Sequence, residues 1–169
     1  MKTTRYVAAA VGALAIGVGA YLSVETDGLR QSAPSVAYTL LDGTPSSTDA
    51  LRGKVVLVNF WATSCTTCVH EMPQIVATHE RFKARGFETL AVAMSYDPPA
   101  AVAHFAQSRQ LPFGVVIDNT GAVARSFGDV KLTPTTVLIN QRGEIVKRYV
   151  GEPDFAGLNR LVEALLAAG

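Results

Sequence analysis

Residues 55–68 read VVLVNFWATSCTTC, an apolar run that leads directly into a pair of cysteines. The first six residues are apolar except for Asn59, which is typical of a central strand covered by helices on both faces. Beyond the cysteines, apolar or aromatic side chains recur at helical spacing and predict a helix that ends near residue 85. These are Met72, Ile75, Val76, His79 and Phe82. We therefore expect Cys65 and Cys68 at a strand-to-helix junction.

The rest of the chain alternates between strand and helix patterns. A short strand or hairpin is predicted at 36–45, and further strands at 89–94, 113–117, 134–139 and 144–150. Helices are predicted at 97–110, 121–127 and 153–166. Asp97 is expected to cap the first of these, with Pro98 at its first helical position. From residue 55 the order β-α-β-α-β-α-β-β-α predicts an α/β sandwich.

The N-terminus has the layout of an export signal. Residues 7–24 carry no charged side chain and follow Lys2 and Arg5, so the positive charges stay inside and the following domain is exported. The segment is either a retained anchor or a cleaved signal peptide, and its near-spanning length favours the anchor. We assign residues 1–24 to this signal, 25–34 to a polar linker and 35–169 to one domain.

Charge and cysteine content narrow the classes of function. The 169 residues carry a formal net charge of +1, and this balance predicts no nucleic-acid partner. The two cysteines are the only ones in the chain, and in an oxidising compartment they pair with each other. A bridge across so short a loop adds little stability, so the pair is better explained by chemistry than by stabilisation.

The junction suits the cysteines for thiol chemistry. A thiol with the ordinary pKa of about 8.5 is mostly protonated at neutral pH, whereas the attacking species is the thiolate. The unpaired N–H groups and positive dipole of a first helical turn favour an anion, which makes Cys65 the expected nucleophile. Cys68, one turn later, is the expected resolving thiol that attacks Cys65 in a mixed disulfide with substrate.

These motifs resemble a known family. VVLVNFWA at 55–62, followed by Cys65-x-x-Cys68-x-x-Glu71-Met72-Pro73, resembles the thioredoxin superfamily, and within it the TlpA/ResA/CcmG-like branch. The resemblance covers about 34–168 and implies a thioredoxin-like three-layer α/β sandwich. In this fold a central mixed β-sheet is flanked by helices, and here an N-terminal hydrophobic anchor helix precedes it.

Thr133-Pro134-Thr135 matches the cis-proline loop of that superfamily. The resemblance implies a cis bond at Pro134 facing the cysteines, and a backbone beside it that pairs with the substrate chain like an added strand. Pro134 thus joins Cys65 and Cys68 as a predicted catalytic-site residue.

The resemblance also implies an activity and a location. The chain is expected to be a thiol-disulfide oxidoreductase that reduces disulfides of extracytoplasmic proteins, in cytochrome c maturation or in assembly of the copper site of an oxidase. It would work on the outer, periplasmic face of the bacterial inner membrane as a monomer without a cofactor. Electrons would come from a membrane thiol reductase.

Some positions depart from the family pattern. Ser64 replaces the usual tryptophan before the first cysteine, and Thr66-Thr67 separates the cysteines without proline or glycine. Asn59 stands where thioredoxin has a buried acid that assists proton transfer. Glu71 is either a substitute for that acid or an exposed residue that complements the helix dipole. His70 is expected to be a surface residue.

Three other functions share features with this sequence. An extracytoplasmic metallochaperone is the main alternative, because two thiols can hold Cu(I), although no methionine or histidine cluster completes such a site. A zinc site would need four ligands, and the three histidines lack the paired spacing. A peroxiredoxin would need proline and threonine where the chain has Val58 and Ala62.

Overall fold

The computed structural model describes residues 31–169. In that part of the chain eight strands and four α-helices follow one another. The strands are β1 (Gln31–Ser32), β2 (Ala37–Thr39), β3 (Pro45–Ser47), β4 (Val55–Trp61), β5 (Phe87–Ala93), β6 (Gly114–Ile117), β7 (Thr135–Ile139) and β8 (Glu144–Val150). The helices are α1 (Thr66–Phe82), α2 (Pro99–Ser108), α3 (Ala122–Ser126) and α4 (Phe155–Ala167).

Six strands form a mixed sheet in the order β1-β8-β7-β4-β5-β6, and β2 and β3 form a separate hairpin. Strand β4 runs parallel to β5 and antiparallel to β7. All seven of its residues are buried, as a run that is apolar except for Asn59 predicts for a central strand. The sheet therefore holds the segment before the cysteines between two neighbours.

Alternate residues of β4 face two apolar layers, because successive strand side chains point to opposite faces. Val55, Leu57 and Trp61 belong to one core cluster with apolar residues of α1, α2 and α4. Val56, Val58 and Phe60 belong to a second cluster with residues of α3. The predicted three-layer sandwich with a central mixed sheet is thus confirmed, together with the β-α-β-α-β-α-β-β-α order from residue 55.

Helix α1 carries the second cysteine and lies against the sheet along one stripe. Its buried residues recur at spacings of three and four: Cys68, Glu71, Met72, Ile75, Thr78, His79 and Phe82. A single 3₁₀ turn follows, and Gly86 ends it in the left-handed conformation with φ of 90°, where a residue without Cβ is favoured. The α-helix thus ends at Phe82, three residues before the predicted end near residue 85, and the 3₁₀ turn Lys83–Arg85 continues to the predicted stop at Gly86.

The N-terminal signal predicted at residues 1–24 lies outside the described residues, as does most of the predicted linker. Between residues 31 and 169, no helix combines the length and apolar character needed to cross a membrane.

Candidate active site

The cysteines lie where β4 gives way to α1. Cys65 is the N-cap residue of α1 and forms a disulfide with Cys68, with 5.2 Å between the two Cα atoms. Cys65 is partly exposed, whereas Cys68 has 0% exposure. An incoming sulfur atom can therefore reach Cys65 and not Cys68.

The start of α1 also stabilises negative charge on Cys65. The Cys68 backbone N–H donates a hydrogen bond to Cys65 Sγ at 3.2 Å, and the sulfur sits at the positive end of a 17-residue helix. Both effects favour a thiolate over a thiol when the disulfide is reduced. The strand-to-helix placement expected from the sequence is observed.

The loop before β7 reaches the same end of the sheet. Because Thr135 pairs with Phe60 of β4 in antiparallel register, the preceding Pro134 falls at the end of β4 from which the chain continues to Cys65. The Thr133–Pro134 peptide bond is cis, as the family resemblance implies. The Pro134 carbonyl accepts a hydrogen bond from the Gly151 backbone N–H at 2.8 Å.

A buried polar cluster lies beneath the cysteines. Asn59 Nδ2 donates to Glu71 Oε1 at 2.9 Å and to Thr136 Oγ1 at 3.0 Å. Asn59 and Glu71 have 0% exposure, and Thr136 has 1%. The exposed alternative for Glu71 is therefore wrong, because its position is on the buried stripe of α1.

Burial changes the acidity of Glu71. Desolvation raises the pKa of its carboxyl to about 7; the negative charge of Glu152 adds to the rise and the Asn59 hydrogen bond opposes it. Within residues 31–169, its Oε2 atom has no hydrogen-bond partner. Glu71 also follows Cys68 by three residues, so the two side chains are neighbours on one helix face. A carboxyl with this pKa can exchange a proton near neutral pH.

His70 is exposed, as predicted, with its Nδ1 atom 3.4 Å from Glu152 Oε2.

Trp61 has 0% exposure, and its ring packs on Phe105 with 5.1 Å between centroids.

The loop between β5 and α2 contacts the site in a way that the sequence patterns missed. Asp97 does not cap α2: the helix begins at Pro99 with Pro98 as its N-cap residue. The Asp97 carboxylate instead accepts hydrogen bonds from the Thr63 backbone N–H and from Thr63 Oγ1, both at 2.6 Å. The sequence expectation for Asp97 was wrong because both carboxylate oxygens are engaged by a residue 34 positions earlier.

Exposed apolar side chains surround the loop that contains Pro134. Across residues 31–169 the large hydrophobic side chains that remain exposed are Tyr96 (57%), Leu132 (65%) and Val150 (63%). Leu132 and Val150 line one hollow of about 400 Å³, and Val150 pairs with Thr135 across β7 and β8. Tyr96 reaches the loop through its hydroxyl, 3.2 Å from Thr133 Oγ1.

The part of the chain that the structure describes holds no cluster of three or more histidine, cysteine, aspartate or glutamate side chains suited to a metal ion.

A disulfide between the N-cap residue and the first turn of a helix, on a sheet of this topology, defines a thiol-disulfide oxidoreductase of the thioredoxin fold. The family model described as Redoxin matches residues 29–162. The chain therefore belongs to the Redoxin family.

Individual relatives agree with this assignment. The chain is 38% identical over 111 residues to the thiol-disulfide oxidoreductase ResA of Halalkalibacterium halodurans, a match that spans 66% of this chain and 62% of the relative. It is 32% identical over 155 residues to ResA of Geobacillus kaustophilus, covering 89% and 88% of the two chains. A candidate thioredoxin of Neisseria meningitidis has a similar solution structure, with a TM-score of 0.75, 42% identity, and 80% and 89% of the two chains covered.

Proposed function

We propose that this chain is an exported reductase of protein disulfides, with Cys65 as the attacking thiolate and Cys68 as the resolving thiol. The single observation that carries the assignment of roles is the difference in exposure between the two sulfur-bearing residues. Cys65 is accessible at the start of α1, and Cys68 is fully buried one turn later.

The cycle moves two electrons from the protein to the substrate. The Cys65 thiolate attacks one sulfur of a substrate disulfide, so that a Cys65–substrate bond forms while the substrate disulfide breaks and releases its first thiolate. Cys68 then loses its proton and attacks Cys65 Sγ, which releases the second substrate thiolate. The Cys65–Cys68 disulfide found in the structure is the oxidised end of this cycle.

Glu71 supplies the acceptor for the Cys68 proton in this proposal. Its Oε2 atom is buried and lacks a hydrogen-bond partner among residues 31–169, and its raised pKa leaves a large share of the group ionised at pH 7. A buried carboxylate takes up a proton readily, because the ionised form is costly in a buried site. Asn59 holds the other oxygen.

A protein chain is the substrate that fits the surface around Cys65. The exposed side chains of Tyr96, Leu132 and Val150 flank the loop that contains Pro134, and apolar side chains at a contact surface favour a partner that covers them. The backbone beside Pro134 would pair with an extended segment of the substrate.

The location and partners rest on the N-terminal sequence and on the family resemblance. The uncharged residues 7–24 after Lys2 and Arg5 would anchor the domain on the periplasmic face of the inner membrane. There, as a monomer, it would receive electrons from a membrane thiol reductase and reduce apocytochrome c or copper-site cysteines of an oxidase. The alternative, an extracytoplasmic copper metallochaperone, would use the same two thiols, but no methionine or histidine cluster in the sequence completes such a site.

Stoichiometric exchange tests the proposal. The fully reduced full-length chain, mixed with insulin, should form one Cys65–Cys68 disulfide for each insulin disulfide reduced, as counted by thiol alkylation and mass spectrometry. The double variant Cys65→Ala, Cys68→Ala should release no insulin thiols. Insulin left oxidised by the reduced wild-type chain would refute the proposed function.

A further inference from the structure

One short loop bridges the two segments that a substrate would touch. Residues 94–98, between β5 and α2, follow the strand that lies parallel to β4. The Met94 backbone N–H donates to the Trp61 carbonyl at 3.0 Å, so the loop starts beside the end of β4. From there its next residues extend towards both the cysteines and the Pro134 loop.

On the side of the cysteines, the loop contacts Thr63 through the buried carboxylate of Asp97. Asp97 has 2% exposure, and its two oxygens accept from the backbone N–H and the hydroxyl of Thr63 at 2.6 Å each. Burial of a carboxylate is favourable only where hydrogen bonds replace its water shell, and bonds to a charged group are the stronger kind. Asp97 therefore fixes Thr63, which lies two residues before Cys65.

The contact on the proline side comes from the adjacent residue. The Tyr96 hydroxyl lies 3.2 Å from Thr133 Oγ1, and Thr133 directly precedes Pro134. Thr63 and Thr133 are 70 positions apart in the sequence, yet consecutive residues of one loop hold both.

We propose that Tyr96 and Asp97 are positioning residues that set the spacing between Cys65 and Pro134 for a peptide substrate. The inference rests on the proposed function, because the spacing matters only if the substrate is bound by its backbone while its disulfide is attacked. A small disulfide without peptide groups contacts only Cys65. The rate of its reduction therefore does not depend on this spacing.

The test compares two substrates on the full-length, reduced protein. Insulin supplies a protein disulfide, and hydroxyethyl disulfide supplies one without peptide groups. For Asp97→Asn, kcat/KM for insulin should fall about tenfold, mainly through kcat, because small displacements of a bound substrate lower the rate of the reaction steeply. For Tyr96→Phe the loss should be about threefold, since one neutral hydrogen bond is removed. The rate with hydroxyethyl disulfide should stay within about twofold of wild type in both variants.

Matched variants control for loss of a hydroxyl or a charge elsewhere. Tyr149→Phe removes a hydroxyl from β8, and Asp42→Asn changes an exposed aspartate that accepts from the Thr44 N–H at 2.9 Å. Both should behave as wild type with both substrates. Because Tyr96 and Asp97 act on one spacing, the double variant should lose less than the product of the two single losses.

Two results would overturn the inference: unchanged insulin kinetics in Tyr96→Phe and Asp97→Asn, or equal losses with both substrates, which would place the effect on the Cys65 thiol itself. Because Tyr96 is 57% exposed, Tyr96→Phe is expected to fold. It therefore tests the inference even if Asp97→Asn does not fold. Failure of the proposed function is seen separately, as a wild-type chain that does not reduce insulin.

Discussion

The full-length Cys68→Ser protein is expected to accumulate mixed disulfides with its substrates through Cys65. Cys65 remains partly exposed at the start of α1, so attack on a substrate disulfide proceeds. The step that releases the substrate is lost with Cys68. Since Cys68 attacks within the same helical turn, its removal should lengthen the life of the mixed disulfide by about three orders of magnitude. Non-reducing electrophoresis followed by mass spectrometry of the trapped species measures this directly.

The matched control is Cys65→Ser. Because Cys68 has 0% exposure, its thiol is out of reach of a protein disulfide, and this variant should trap nothing. The assignment of roles would be contradicted by adducts joined through Cys68, or by a Cys68→Ser protein that forms no adducts.

The second large effect is expected for Glu71→Gln. If Glu71 accepts the Cys68 proton, release of the substrate should accelerate in wild type as the pH rises through about 7. Glutamine cannot take a proton, so the rate of this step at pH 7 should fall about a hundredfold, within the usual range for loss of a general base. Single-turnover kinetics from pH 5 to 9 would show the loss of the inflection near 7.

A stability measurement tests the pKa of Glu71 independently. Its folded pKa, about 7, is raised above the ordinary value of 4.5, so the unfolded chain releases this proton at lower pH than the folded chain. The free energy of unfolding should therefore fall as the pH rises from 4.5 to 7. The free energy of unfolding of Glu71→Gln minus that of wild type should therefore be more positive at pH 8 than at pH 4.

Glu80→Gln serves as the control for the Glu71 experiments, because Glu80 is exposed on the same helix and pairs with Lys83. It should change neither the pH profile of substrate release nor the pH dependence of stability. A Glu71→Gln protein with the wild-type pH profile would remove Glu71 from the mechanism while leaving the two cysteine roles intact.

The parts of the fold that the sequence predicts well depend on local pattern. Strand β4 follows from a run that is apolar except for Asn59, and α1 from apolar residues at helical spacing that stop at Phe82, before Gly86. The position of Cys65 between them follows from chain order alone. The cis bond at Pro134 was predicted from family resemblance, and local pattern gives no equivalent signal.

The features that the sequence left open, as for Glu71, or missed, as for Asp97, depend on contacts between distant residues. Glu71 is buried because its partner Asn59 lies on β4, 12 positions earlier. The helical spacing already signalled this, since Glu71 falls on the same stripe as Cys68, Met72 and Ile75. Asp97 offered no such signal: its sequence context matches a helix cap, and the competing donor Thr63 is brought near only by the pairing of β4 with β5.

The direction of electron flow is tested most directly by the reduction potential of the Cys65–Cys68 pair, measured by equilibration of the full-length chain with dithiothreitol and with glutathione. We predict a reducing potential near the thioredoxin value of about −270 mV, which favours transfer of electrons to substrate disulfides. A potential near the DsbA value of about −120 mV would favour disulfide formation instead and would contradict the assignment as a reductase.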